Sequence, residues 1–82
     1  MDNKTREKLL LIADMVLSAG DSGHDLTFGI DFVNGEPLAH LSDYGKNWDG
    51  KTDALKRIQH YSYDTELDSM IDYLETLRNI KA

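Results

Sequence analysis

The pair Asn34-Gly35 constrains the fold of this chain more than any other feature of the sequence. It stands between two runs rich in apolar residues, Leu26–Val33 and Glu36–Tyr44. A type I′ turn requires positive φ at both central residues, which Asn and Gly tolerate, so the pair predicts a β-hairpin. A two-residue loop pairs Val33 with Glu36 and fixes the register of the remaining residues.

This register predicts one apolar and one mostly polar face. Because side chains alternate along a strand, the residues of three opposite pairs share the apolar face. These pairs are Phe28 with Leu41, Ile30 with Ala39, and Phe32 with Pro37. Pro37 lacks an N–H, so we expect the second strand to be an edge there. A lone hairpin is marginal in water, and we therefore expect helices to cover the Phe28, Ile30 and Phe32 face.

The segment before the hairpin predicts a helix from about Lys4 to Ala19, with Gly20 just past its end. Its apolar stripe is Leu9, Ile12, Val16 and Ala19, widened by Leu10, Ala13 and Leu17. Basic residues before the apolar run superficially resemble a signal peptide. However, Asp14 interrupts that run and Glu7 lies in its basic part. We therefore interpret the segment as a buried helix.

Two further helices are predicted after the hairpin. The first is short, from Ala54 to about His60, and the second runs from Thr65 to about Asn79 behind an Asp64 cap. The apolar stripe of the longer helix is Leu67, Met70, Ile71, Leu74, Leu77 and Ile80. The fold class is therefore α+β: one domain, residues 1–82, in the order helix, β-hairpin, short helix and helix. Its two-stranded antiparallel sheet packs on the helices.

Two motif matches after the hairpin are interpreted as accidental. Gly45–Thr52 fits the phosphate-binding pattern G-x-x-x-x-G-K-[ST], but that loop belongs to parallel sheets. Trp48 and Asp49 would also place bulk and negative charge in the phosphate cradle. An EF-hand alignment of the same segment puts Lys56 where a bidentate glutamate belongs. We therefore predict no nucleotide, metal or other cofactor.

The three histidines do not predict an enzyme. His24 beside Asp25, or His40 near Ser42, comes closest to an acid–base pair. Neither pair has a nucleophile elbow or a third orienting group, so we interpret these histidines as surface residues. The chain has no cysteine and no apolar run near the ~20 residues of a membrane span. We expect a cytoplasmic protein that is not an enzyme and does not bind membranes.

Charge is the most informative feature for function. The formal net charge is −6, and no Lys or Arg occurs from Leu9 to Gly45 or from Ile58 to Leu77. The last helix carries acids at steps of four, four and three residues: Asp64, Asp68, Asp72 and Glu75. Like charges at this spacing destabilise a helix by a few tenths of a kcal/mol per pair. The row is typical of a surface for a basic partner, or of a solvated face that aids solubility.

Two function classes follow. In the first, the chain is a small acidic protein-binding inhibitor that blocks or mimics a nucleic-acid site on a basic, nucleic-acid-binding protein. The row from Asp64 to Glu75 is its main surface, with Asp31 and Glu36 as a weaker second site. Size and charge resemble those of phage-encoded anti-defence proteins such as anti-CRISPR proteins. Direct nucleic-acid binding is disfavoured by charge repulsion.

In the alternative, the chain is a non-catalytic accessory or oligomerisation module. It would bind through the exposed edge of the hairpin, and a homodimer is one form of such an assembly.

Overall fold

A computed structural model describes residues 2–46, 58–62 and 67–79 of the chain. These residues form α1 (Asn3–Asp21), β1 (His24–Val33), β2 (Glu36–Lys46), β3 (Ile58–Ser62) and α2 (Leu67–Asn79). The strands form one antiparallel sheet in the order β1-β2-β3. The predicted α+β class is confirmed.

The hairpin has the predicted turn and register. Asn34 has a φ of 52° and Gly35 a φ of 80°, as a type I′ turn requires. Val33 lies opposite Glu36 and Phe28 lies opposite Leu41. The register shifts only at the open end, between His24 and Leu26. The local chemistry of the turn therefore sets the pairing of β1 with β2.

The predicted short helix is wrong over its described part, because residues 58–62 form β3 beside β2. Ala39 pairs with Ser62 and Asp43 pairs with Ile58, so the sheet has three strands rather than two. An unpaired strand edge favours a further strand, and tertiary pairing overrides a weak helical pattern. Among the described residues, the pairing of β2 with β3 ends at Ala39 and Ser62. The edge predicted at Pro37 stays a prediction, because residues 63–66 lie outside the described residues. Residues 54–57 and 47–52, with most of the two rejected motifs, lie outside the described residues.

The ends of α1 differ from the predicted ends by a few residues. Asp2 caps the helix, and its carboxylate accepts a hydrogen bond from the Thr5 N–H at 2.8 Å. This bond lowers the pKa of Asp2. At the other end, Gly20 lies inside the helix. Gly23, with a φ of 99°, stands just past the C-cap and takes the left-handed conformation that helix ends favour.

The core lies between the two helices and one face of the sheet. It consists of Leu9, Ile12, Met15, Ala19, Ala39, Leu41, Leu67, Met70, Leu74 and Leu77. The helices run parallel, because Lys8 contacts Asp68 near their starts while Met15 and Leu77 line one groove near their ends. Neither described helix is long and apolar enough to cross a membrane.

The helices cover less apolar surface than predicted. Leu10 and Leu17, expected to widen the buried stripe of α1, are 61% and 69% exposed. On the hairpin, Phe28 packs against the core, but Ile30 and Phe32 are 41% and 62% exposed. Their opposite residues on β2 are buried. The core is centred on the middle strand, so the outer strand β1 is left partly open toward the turn.

Candidate functional site

Three of the four predicted acids share one side of α2. Asp68, Asp72 and Glu75 follow one another at steps of four and three residues, which places them on one side of a helix. Asp68 and Asp72 are exposed, and Glu75 is half-buried. Asp64 lies outside the described residues. We call Asp68, Asp72 and Glu75 the acidic helix surface.

One end of the acidic helix surface is compensated by a lysine. The Nζ atom of Lys8 on α1 lies 3.2 Å from Oδ1 and 3.3 Å from Oδ2 of Asp68. Sequence reasoning missed this pair because the two residues are 60 positions apart. An exposed ion pair contributes at most about 1 kcal/mol. The pair therefore contributes little to the stability of the fold.

The predicted second acidic site lies on the opposite side of the molecule. By strand alternation, Asp31 and Glu36 belong to the sheet face that the helices do not cover. Oδ2 of Asp31 is 3.4 Å from Nε2 of His40. The His40 ring lies over Gly29, where an added Cβ would come within 2.5 Å of it. The structure therefore does not bring this site together with the acidic helix surface.

The parallel helices add to the negative potential at one end of the molecule. The C-terminal end of a helix carries a partial negative charge, and the two C-terminal ends lie on the same side. The last turn of α1 contains no basic residue and ends on Asp21. An acid at the C-terminal end of a helix slightly destabilises the helix, so helix stability does not explain the position of Asp21.

A second polar cluster, which sequence reasoning missed, is buried at the open end of the hairpin. Asp43 is only 5% exposed. Its Oδ2 accepts a hydrogen bond from the Tyr73 hydroxyl at 2.5 Å, and its Oδ1 accepts one from the Gly45 N–H at 2.8 Å. Nδ1 of His24 lies 3.5 Å from the same Oδ1. The cluster joins both strands of the hairpin to α2.

The His24 contact is the weak member of this cluster. Its Nδ1 is buried and makes no hydrogen bond to any described residue, although the distance to Asp43 is within ion-pair range. A distance of 3.5 Å is long for a hydrogen bond, so the His24 contact contributes less than the other two. The side chain is 10% exposed, so the expectation of a surface histidine is wrong here. Strand alternation places Asp43 on the same face as the buried Leu41, so this pattern could have predicted that Asp43 is buried.

The chemistry of the cluster is structural. Burial and then the neighbouring Asp43 carboxylate raise the pKa of Tyr73. A raised pKa keeps the phenol protonated, so that it remains a hydrogen-bond donor. Among the described residues, no group of three or more His, Asp or Glu side chains is arranged to hold a metal ion. We interpret the cluster as a clamp between α2 and the sheet.

Comparisons of the chain with protein-family models, with curated proteins and with solved structures find no match.

Proposed function

We propose that this chain is a small acidic protein-binding inhibitor. It would act in the cytoplasm, without catalysis, by blocking or mimicking a nucleic-acid site on a basic, nucleic-acid-binding protein. Phage-encoded anti-defence proteins of the anti-CRISPR kind are the class that its size and charge suggest. The observation that carries the proposal is the alignment of Asp68, Asp72 and Glu75 on one side of α2.

The electrostatic setting supports this surface over the one on the sheet. The acids of α2 are about 6 and 4.5 Å apart along the helix axis, so they form a row of closely spaced negative charges. By contrast, Oδ2 of Asp31 lies 3.4 Å from Nε2 of His40, which offsets its charge when the histidine is protonated. We therefore assign the weaker role to Asp31 and Glu36.

The position of Lys8 indicates which acid of α2 should contribute most to the binding of a partner. Because Lys8 offsets Asp68, Asp72 should contribute more to the attraction of a basic partner. Charges across an interface mainly raise the association rate and select the partner. The interaction should therefore weaken as salt rises, since the Debye length shrinks from ~10 Å at 0.1 M to ~3 Å at 1 M.

The test is an affinity pull-down from nuclease-treated bacterial lysate, washed at graded salt. The wild-type chain should retain basic nucleic-acid-binding proteins and lose them as salt rises. A variant with Asp64→Asn, Asp68→Asn, Asp72→Asn and Glu75→Gln should retain far less. It should fold as well as the wild type, or slightly better, because like-charge repulsion along the helix is relieved.

The matched control neutralises the acids on the other face, Asp31→Asn with Glu36→Gln. This variant should keep most of the retained protein. Equal retention and an equal salt dependence for the wild type and the α2 variant would show that the acidic helix surface is only solvated.

A further inference from the structure

We propose that a second copy of this chain pairs with the free edge of β1, giving a two-fold symmetric dimer with one continuous sheet. This inference goes beyond the proposed function and does not depend on it. Within the described residues, β1 pairs with β2 on one side and with no strand on the other. A free strand edge is a template for pairing with another chain.

The backbone groups of the free edge follow from the turn. In a two-residue hairpin, the pair next to the turn, Val33 and Glu36, is hydrogen-bonded, and hydrogen-bonded pairs then alternate along the strands. The remaining residues of β1 direct their N–H and C=O groups away from β2. These residues are Leu26, Phe28, Ile30 and Phe32. The strand contains no Pro, Lys or Arg, which are common devices for blocking an edge.

The charges of β1 disfavour some registers for pairing with itself and allow a two-fold axis at Gly29. A two-fold axis at Gly29 places Phe28 opposite Ile30 of the second copy and Leu26 opposite Phe32 of the second copy. All four residues direct backbone groups outward, so the hydrogen bonds match. An axis at Phe28 would instead place Asp25 opposite Asp31, and like charges directly opposite are destabilising.

Helix α1 is compatible with the same axis. Leu17 and Leu26 line one groove between α1 and β1. Gly29 lies three residues beyond Leu26, about 10 Å along the strand. A helix that runs antiparallel to the strand covers that distance in about seven residues, so we expect Leu10 near the level of Gly29. Leu10 is 61% exposed, and the two-fold axis would face it toward Leu10 of the second copy.

Two exposed leucines share one side of α1. Leu10 and Leu17 are seven residues apart, and they are 61% and 69% exposed. The α1 helix of a second copy, placed beside this side, would cover both residues.

These observations favour a second copy over an unrelated strand. An unrelated strand needs only the backbone edge. It would not cover the exposed leucines of α1, which the α1 helix of a second copy can cover. Ile30 and Phe32, which are exposed in the single chain, also gain apolar partners in the dimer.

The first test is sedimentation equilibrium of the full chain over a range of concentrations. The wild type should form a dimer, and Leu10→Glu should raise its dissociation constant at least about tenfold. Leu11→Glu is the matched control, because Leu11 is 47% exposed but lines the groove toward α2. The control should leave the dissociation constant unchanged. Circular dichroism should show that both variants are folded.

The second test uses the absence of cysteine from the chain. Under mild oxidation, Leu10→Cys should give a disulfide-linked dimer in much higher yield than Leu11→Cys. The dimer should persist at high salt, unlike the partner complex of the acidic helix surface. A wild type that stays monomeric at all concentrations would overturn the proposal. Equal behaviour of the Leu10 and Leu11 variants in both tests would overturn it too.

Discussion

The open end of the hairpin buries polar side chains, whereas the turn end exposes apolar ones. At the open end, Asp43 is 5% exposed and binds the Tyr73 hydroxyl. At the turn end, Phe32 is 62% exposed. The two residues belong to the same face of the sheet, since Phe32 lies opposite Pro37 and β2 alternates from Pro37 to Asp43. Strand alternation alone therefore does not decide which of them is buried.

The difference follows from where the helices lie. Tyr73 of α2 reaches the open end of β2 and supplies a hydrogen bond there, so that the Asp43 carboxylate is buried with partners. Near the turn, Ile30 and Phe32 stand on the outer strand, away from the core on β2. Full burial of an apolar side chain would contribute ~1.5–3 kcal/mol. The exposed side chains of Ile30 and Phe32 do not make that contribution in the single chain.

The largest effect should come from the buried carboxylate. Asp43→Ala should lower the free energy of unfolding by ~3–5 kcal/mol, because the partly buried Tyr73 hydroxyl and Gly45 N–H lose their acceptor and a buried side chain is removed. Urea denaturation followed by circular dichroism measures this change. The control is Asp31→Ala at an exposed carboxylate, expected to change stability by less than ~1 kcal/mol. Similar losses of stability for Asp43→Ala and Asp31→Ala would contradict the difference between the open end and the turn end of the hairpin.

Two phenylalanines on the same strand should sharpen the comparison. Phe28→Ala should cost about 3 kcal/mol, because Phe28 packs against the core. Phe32→Ala should cost less than ~1 kcal/mol in the single chain, because its side chain is already exposed. Urea denaturation at low protein concentration, where any dimer dissociates, measures both. A cost for Phe32→Ala that matches that of Phe28→Ala would mean that the turn end is covered after all.

The Tyr73 hydroxyl should have a smaller, pH-dependent effect. Tyr73→Phe should cost ~1–2 kcal/mol near neutral pH, since Asp43 loses a donor. Because the folded pKa of Tyr73 is raised above the ordinary value near 10, the unfolded chain loses this proton first as pH rises. Stability should therefore fall above about pH 10 in the wild type and fall less in Tyr73→Phe. Urea midpoints at pH 9 and above pH 10 measure the difference, and parallel curves would contradict it.

The smallest effect should come from the ion pair between the helices. Lys8→Ala should change the free energy of unfolding by less than ~1 kcal/mol, because Lys8 and Asp68 are exposed. The same substitution should strengthen binding of a basic partner by the acidic helix surface, since Asp68 is no longer offset. Thermal unfolding and a salt-dependent pull-down measure the two outcomes. A large loss of stability would make this pair part of the core packing rather than of the surface.

The parts of the fold that depend on near neighbours in the chain were predictable from the sequence. Asn34-Gly35 set the turn and register, and the stripe of α2 from Leu67 to Leu77 has the burial that its spacing predicts. β3 was not predictable in this way, because its partner β2 lies many residues earlier in the chain. In the sequence, Leu10 and Leu17 have the spacing of a buried helix face. Their exposure depends on how α1 lies over the sheet, which the spacing does not show.

The candidate sites divide in the same way. Helical spacing alone was enough to place Asp68, Asp72 and Glu75 together. The neutralising Lys8 and the clamp partner Tyr73 lie far from their partners in the chain, so no local pattern pointed to them. His24 beside Asp25 was the nearest local pair, but the irregular register at the start of β1 brings His24 to Asp43 instead.

The parallel contact of α1 with α2 also has a consequence for synthesis on the ribosome. The hairpin joins neighbouring stretches and can close early, whereas the contact between Lys8 and Asp68 spans 60 positions. During translation, α1 and the hairpin emerge before α2 exists. Until α2 arrives, Met15 and the other core residues of α1 that face α2 have no cover. The nascent chain therefore passes through a stage at which chaperones can bind this helix.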